Sequence, residues 1–98
     1  QPVYQTFSNA AVTVDPLTTV LLQTGTMSAS RVVTIPYAVN GRPLLVMDKS
    51  GSVTGVNTLV LTRQNADLIN GATTLTLNSA YGVTNIIPDR GTAWTKIP

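Results

Sequence analysis

A chain of 98 residues has room for one domain and a single core. It is 43% hydrophobic but only 10% charged and holds no His, Cys or Glu. That excludes disulfide staples, zinc sites of the Cys/His kind and thiol or imidazole catalysis, and leaves a surface of Thr, Ser, Asn, Gln and backbone suited to burial against other chains. The net charge of +2 comes from six scattered cations, Arg31, Arg42, Lys49, Arg63, Arg90 and Lys96, against four Asp, so the basic balance reflects few acids and not a nucleic-acid patch.

Sixteen Thr and twelve Val favour pleated strands, because β-branched side chains are stiff at χ1 and pack well on a half-buried sheet. No run approaches the roughly 20 apolar residues that cross a bilayer as a helix, so membrane insertion is not expected. Gln1-Pro2-Val3-Tyr4 has neither the charged nor the apolar region of an export leader. A start without Met reads as a piece of a longer protein in preference to a processed chain, and Lys96-Ile97-Pro98 as either a natural end or a cut boundary.

In chain order, residues 1–17 form a lead-in segment with a strand region around Val3 to Phe7. Val20-Leu21-Leu22 is apolar on both faces. Arg31 to Ile35 places Val33 and Ile35 together, and Asn40-Gly41 is a turn signal. Leu44-Leu45-Val46-Met47 is again apolar on both faces, as suits a strand covered by a second sheet or a neighbouring subunit. A turn at Asp48-Lys49-Ser50-Gly51 follows. Leu59 and Leu61 then face one way with Val60 opposite, and Arg63 to Leu68 is the one weak helical candidate. After the Asn70-Gly71 turn, Thr74-Leu75-Thr76-Leu77-Asn78 alternates cleanly as a half-buried strand. Val83 to Ile87 and Ala93 to Ile97 join across Pro88-Asp89-Arg90-Gly91 as a terminal hairpin. Short runs divided by turn residues, with no internal repeat of fixed period, predict one all-β domain over residues 1–98, a small antiparallel β-sandwich or barrel-like module.

Little in the chain carries reaction chemistry. Asp15, Asp48, Asp67 and Asp89 sit in turn-like contexts and read as caps. Ser50 beside Lys49 cannot form a nucleophile and base pair from adjacent turn positions. Gly51 and Gly55 precede an apolar strand where a phosphate loop needs a helix. Asp67 with Asn65 and Asn70 supplies one charge where a calcium loop needs several. No cofactor, metal or catalytic residue is predicted. Sugar sites pair an exposed ring with hydrogen-bonding groups, and Tyr37 with Asn40 and Arg42 offers ring, amide and guanidinium in one loop; the plainer reading is loop packing. Trp94, the one Trp, reads as a core or interface anchor.

Taken in order, Thr19 to Thr26, Arg31 to Pro36, Leu44 to Asp48, then Gly55 to Leu59, Asp67 to Asn78, Tyr81-Gly82 and Trp94 to Ile97 resemble a β module common in bacteriophage tail fibres and tailspikes. The resemblance covers about residues 18–97. It implies a short β domain assembled as a homotrimer, a cap, knob or carbohydrate-contacting head in the viral tail. Its motifs at Ile69 to Ala72 and Tyr81-Gly82 look structural, giving a turn and a packed ring, and carry over no receptor site. Asn85 to Gly91 departs from similar modules in being more apolar, which marks Ile86 and Ile87 as contacts.

The expected function is therefore non-enzymatic attachment to a host-cell surface, the receptor being a polysaccharide, with Tyr37, Asn40 and Arg42 as candidate receptor contacts. Leu45, Met47, Ile86, Ile87 and Trp94 are candidate residues of the trimer interface or core. The expected partners are two further copies, the rest of the fibre and the receptor, and not nucleic acid or a membrane interior. The alternatives are a purely structural trimerisation or capping domain, and a carbohydrate-binding module of a secreted hydrolase.

Overall fold

β-Branched and Leu residues in short runs, cut every few positions by Gly, Pro, Asn or Asp, favour short strands. The computed structural model, which describes residues 2–97, has ten of them and no helix in that range. They are β1 (Tyr4–Phe7), β2 (Val12–Thr13), β3 (Val20–Gln23), β4 (Arg31–Thr34), β5 (Leu44–Asp48), β6 (Leu59–Thr62), β7 (Leu68–Ile69), β8 (Thr74–Leu77), β9 (Val83–Pro88) and β10 (Ala93–Ile97). Gln1 and Pro98, and with them the outermost residues of the expected single domain and of its C-terminal end, lie outside the described residues.

The strands form a six-stranded sheet, β1-β3-β5-β9-β10-β7, and a four-stranded sheet, β2-β4-β6-β8. From β1 to β6 the chain passes alternately from one sheet to the other, so strands of one sheet lie one coil apart and run parallel: β1 with β3, β3 with β5, β2 with β4, β4 with β6. β8 then lies antiparallel to β6, and β9 antiparallel to both β5 and β10, closing the stack.

This solenoid-like stacking corrects the expectation of a small antiparallel sandwich or barrel. A turn that sends the chain to the facing sheet uses the same Gly, Asn and Pro as one that folds it back into a hairpin, so turn residues do not tell the two apart. The coils also differ in length, from Tyr4 to Val20 to Leu45 in one sheet (16, then 25 residues) and from Arg31 to Leu59 in the other (28 residues). No fixed period survives that variation.

Residues 4–13, expected as a lead-in, form the first coil. Gln5 fastens it: the side-chain amide donates to the Thr13 carbonyl at 3.1 Å, and its oxygen accepts the Asp15 N–H and the Thr18 hydroxyl, each at 2.9 Å. The helical candidate 63–68 is instead a turn followed by β7. Asn65 there has a φ of 53°, outside any helix, and the Asp67 N–H donates to the Gln64 carbonyl at 3.3 Å.

Between the sheets lies one continuous core in which Leu21, Val33, Val46, Leu61, Ile86 and Trp94 are all buried. Each large side chain buried there contributes about 1.5–3 kcal/mol relative to exposure. The terminal hairpin forms as predicted, as does the two-residue turn at Asn70 (φ 52°) and Gly71 (φ 83°), where Ile69 and Ala72 exchange N–H···O bonds of 2.7 and 2.9 Å.

Candidate functional site

The loop joining β4 to β5 begins at Pro36, whose fixed φ and missing N–H end the strand, and Asn40-Gly41 turns it back toward Leu44. Four side chains from distant positions hold its backbone and that of Ile35 just before it. Gln64 donates to the Ile35 carbonyl (3.0 Å), Trp94 donates its indole N–H to the Pro36 carbonyl (3.1 Å), the Asp67 carboxylate accepts the Ala38 N–H (2.8 Å), and Arg90 donates to the Val39 carbonyl (3.2 Å). Gly41 lies against the Trp94 ring so closely that a Cβ would sit 2.7 Å from the indole, too close for any side chain.

While its backbone is pinned, the loop turns its side chains outward. Tyr37, Val39, Asn40 and Arg42 are exposed, and Pro36, Ala38 and Gly41 are buried. The three sequence-predicted contacts thus share one surface loop, though among the described residues no hydrogen bond joins their side chains to one another.

The 88–91 turn abuts this loop through Arg90. Asp89 accepts the Gly91 and Ala93 N–H groups at 2.7 and 3.2 Å, and Arg90 between them sits at φ 67°. Those N–H donors, Gly91 foremost, hold the Asp89 carboxyl below its ordinary value of 3.8. Arg90 was not among the predicted contacts, and neither were Gln64 and Asp67, the supports beneath the loop. The sequence marked Asp67 as a turn or cap residue, and its carboxylate does accept a backbone N–H, but that of the distant Ala38.

The residues expected at a trimer interface or core divide into two groups. Ile86 and Trp94 are buried within the chain, whereas Leu45 and Met47 lie half-buried and Ile87 exposed on the outer side of the six-stranded sheet. Tyr81 is no packed ring: it is 68% exposed at φ 56° and lies over Gly51, itself at φ 76°.

A second polar cluster is internal. Asp48, fully buried at the end of β5, accepts from Gln23, from the Ser50 N–H and hydroxyl, and from the Val53 and Tyr81 N–H groups, at 2.7 to 3.3 Å. Burial pushes its carboxyl up, but the bonds from Ser50, Val53, Tyr81 and Gln23 outweigh burial and hold it below 3.8. Every donor around Asp48 already has its acceptor, so the cluster fastens loops and offers no open site. Among the described residues no group of three or more metal-ligating side chains comes together.

Comparison with family models, with curated proteins and with solved structures finds no match for this chain.

Proposed function

We propose that the chain is a non-enzymatic attachment module of the bacteriophage tail-fibre or tailspike kind, working as a homotrimer in the viral tail and binding a host-surface polysaccharide through the loop 36–42. The observation that supports this best is the contrast within that loop, a backbone clamped by Gln64, Asp67, Arg90 and Trp94 beneath exposed Tyr37, Asn40 and Arg42. A loop held in one shape before binding loses little entropy when it meets a ligand, and exposed loops on a rigid scaffold commonly carry recognition. A ring face suits the C–H face of a sugar, and the amide and guanidinium suit its hydroxyls and acid groups. Three copies would add avidity on a repetitive surface.

The test is a flow-cytometry screen of the labelled protein against a panel of bacterial cells. Binding to a subset of strains, lost after enzymatic removal of surface polysaccharide and lost in Tyr37→Ala/Arg42→Ala, is the expected result. Binding indifferent to both treatments would overturn the reading.

A structural reading is favoured by a different observation, the apolar outer face of the six-stranded sheet. A groove on that face is lined by Pro43, next to Arg42 of the loop, so the two surfaces adjoin.

A further inference from the structure

We propose that the ring of Tyr81 is a second sugar-stacking surface, apart from the loop 36–42; the proposal rests on the attachment reading above and adds a site to it. The two lie at opposite ends of β5, on the order of 15 Å of strand apart. Among the described residues, five other than Gly take a positive φ: Asn9, Asn65, Asn70, Tyr81 and Arg90. Asn adopts that conformation readily, whereas a bulky ring at φ 56° is an outlier that its surroundings must enforce. Gly or Asn at position 81 would make the same turn with less strain, so the turn alone does not account for a Tyr there.

The enforcement comes from Asp48. The Tyr81 N–H donates to Asp48 Oδ2 at 3.3 Å, and the Gly82 carbonyl accepts the Asp48 N–H at 2.9 Å. The Gly82 N–H closes the turn on the Ser79 carbonyl at 3.0 Å. Oδ1 of the same buried carboxylate accepts the Ser50 N–H at 3.2 Å, fixing the residue before Gly51. One carboxylate thus holds both the backbone that carries the ring and the glycine against which the ring lies.

A Cβ placed on Gly51 would fall nearest to Cζ of Tyr81 and be equally far, 2.6 Å, from Cε2 and Oη. An approach in the ring plane, between those two atoms, would bring them nearer than Cζ. Gly51 therefore meets the flat of the ring and not its edge. The ring is nonetheless 68% exposed, so its other face is open to solvent. A ring held with one face down and one face free presents the apolar surface on which the C–H face of a sugar stacks, and it loses little further freedom on binding.

Charge narrows the ligand class. The segments 48–53 and 78–83 contain two charged residues, Asp48 and Lys49. Asp48 is buried and saturated by its donors, so no carboxylate there faces a cationic ligand, while exposed Lys49 offers a donor to hydroxyls or acid groups. That combination suits a neutral or acidic sugar.

The test is NMR of the Tyr37 and Tyr81 ring protons while oligosaccharides released from bacterial surface polysaccharides are titrated into the intact chain. Saturable shifts are expected at both rings, and those at Tyr81 are expected to persist in Tyr37→Ala/Arg42→Ala. Shifts at Tyr37 alone overturn the second surface and leave the loop reading standing; shifts at Tyr81 alone do the reverse, and shifts at neither overturn both. Two further variants separate the ring from the turn. Tyr81→Asn puts a residue that tolerates positive φ in place of the ring, so the fold is kept, and Tyr81→Phe keeps the ring without its hydroxyl. By calorimetry on the Tyr37→Ala/Arg42→Ala background, Tyr81→Phe is expected to bind within about twofold of its parent and Tyr81→Asn about tenfold more weakly. A Tyr81→Asn that binds as well as its parent overturns the surface, since the ring would then only cover the turn.

Discussion

The indole N–H of Trp94 donates to the carbonyl of Pro36 at 3.1 Å, joining positions 58 residues apart. The last strand thereby holds the candidate recognition loop, and the same ring fills the core and lies on Gly41. Trp94→Phe keeps a ring in the core but leaves a buried carbonyl without its donor, which costs about 1–3 kcal/mol. Urea denaturation is expected to show that loss, and amide exchange at Ala38 and Asn40 to speed up relative to the intact chain. Unchanged exchange at both would mean the indole does not hold the loop.

Acid acts first through Asp48 and Asp89. Both carboxyls sit below the ordinary 3.8 in the folded chain, so each contributes stability that is present above that value and is lost as pH falls through the lowered folded value. Stability is therefore expected to be flat from pH 7 to 5 and to decline below pH 4. Asp89→Asn should keep part of the decline, the part belonging to Asp48. A variant flat to pH 2 would show that Asp48 does not titrate with folding.

Thr84 is buried on β9 with its hydroxyl oxygen unpartnered. A buried hydroxyl without a partner costs more than an apolar group of the same shape, so Thr84→Val is expected to raise stability by about 1 kcal/mol in chemical denaturation. A loss of that size would mean the hydroxyl is satisfied in solution.

How much of this was legible in the sequence differs from element to element. Thr74 to Leu77 and the hairpin from Val83 to Ile97 were plain, because period-2 alternation and a Pro-Asp-x-Gly turn are local signals. The parallel coil was not, since pairing of Val20 with Leu45 depends on where the intervening loop sends the chain. The two-residue strands β2 and β7 are too short to show a period. Tyr37, Asn40 and Arg42 could be singled out because they cluster within six positions. Their supports could not, because Gln64, Asp67, Arg90 and Trp94 come from remote segments. Asp48 read as a turn residue, and only the fold shows that Gln23 meets it at 3.2 Å.

The glycines separate conformation from space. Gly51→Ala forces a side chain at φ 76° into the Tyr81 ring, Gly71→Ala meets only the conformational cost at φ 83°, and Gly55→Ala enters open space at an ordinary φ. Unfolding free energies are expected to fall most for the first, by about 1–2 kcal/mol for the second, and not at all for the third. A mild effect at Gly51 would show that Tyr81 moves freely off it.

The most direct test of the attachment function is a binding isotherm on isolated bacterial surface polysaccharide, taken for the intact chain and for Tyr37→Ala/Arg42→Ala at matched oligomeric mass. Saturable binding by the intact chain, weakened at least tenfold in the variant, is the predicted result. Equal isotherms for the two proteins would contradict the assignment of the loop 36–42 as the receptor contact.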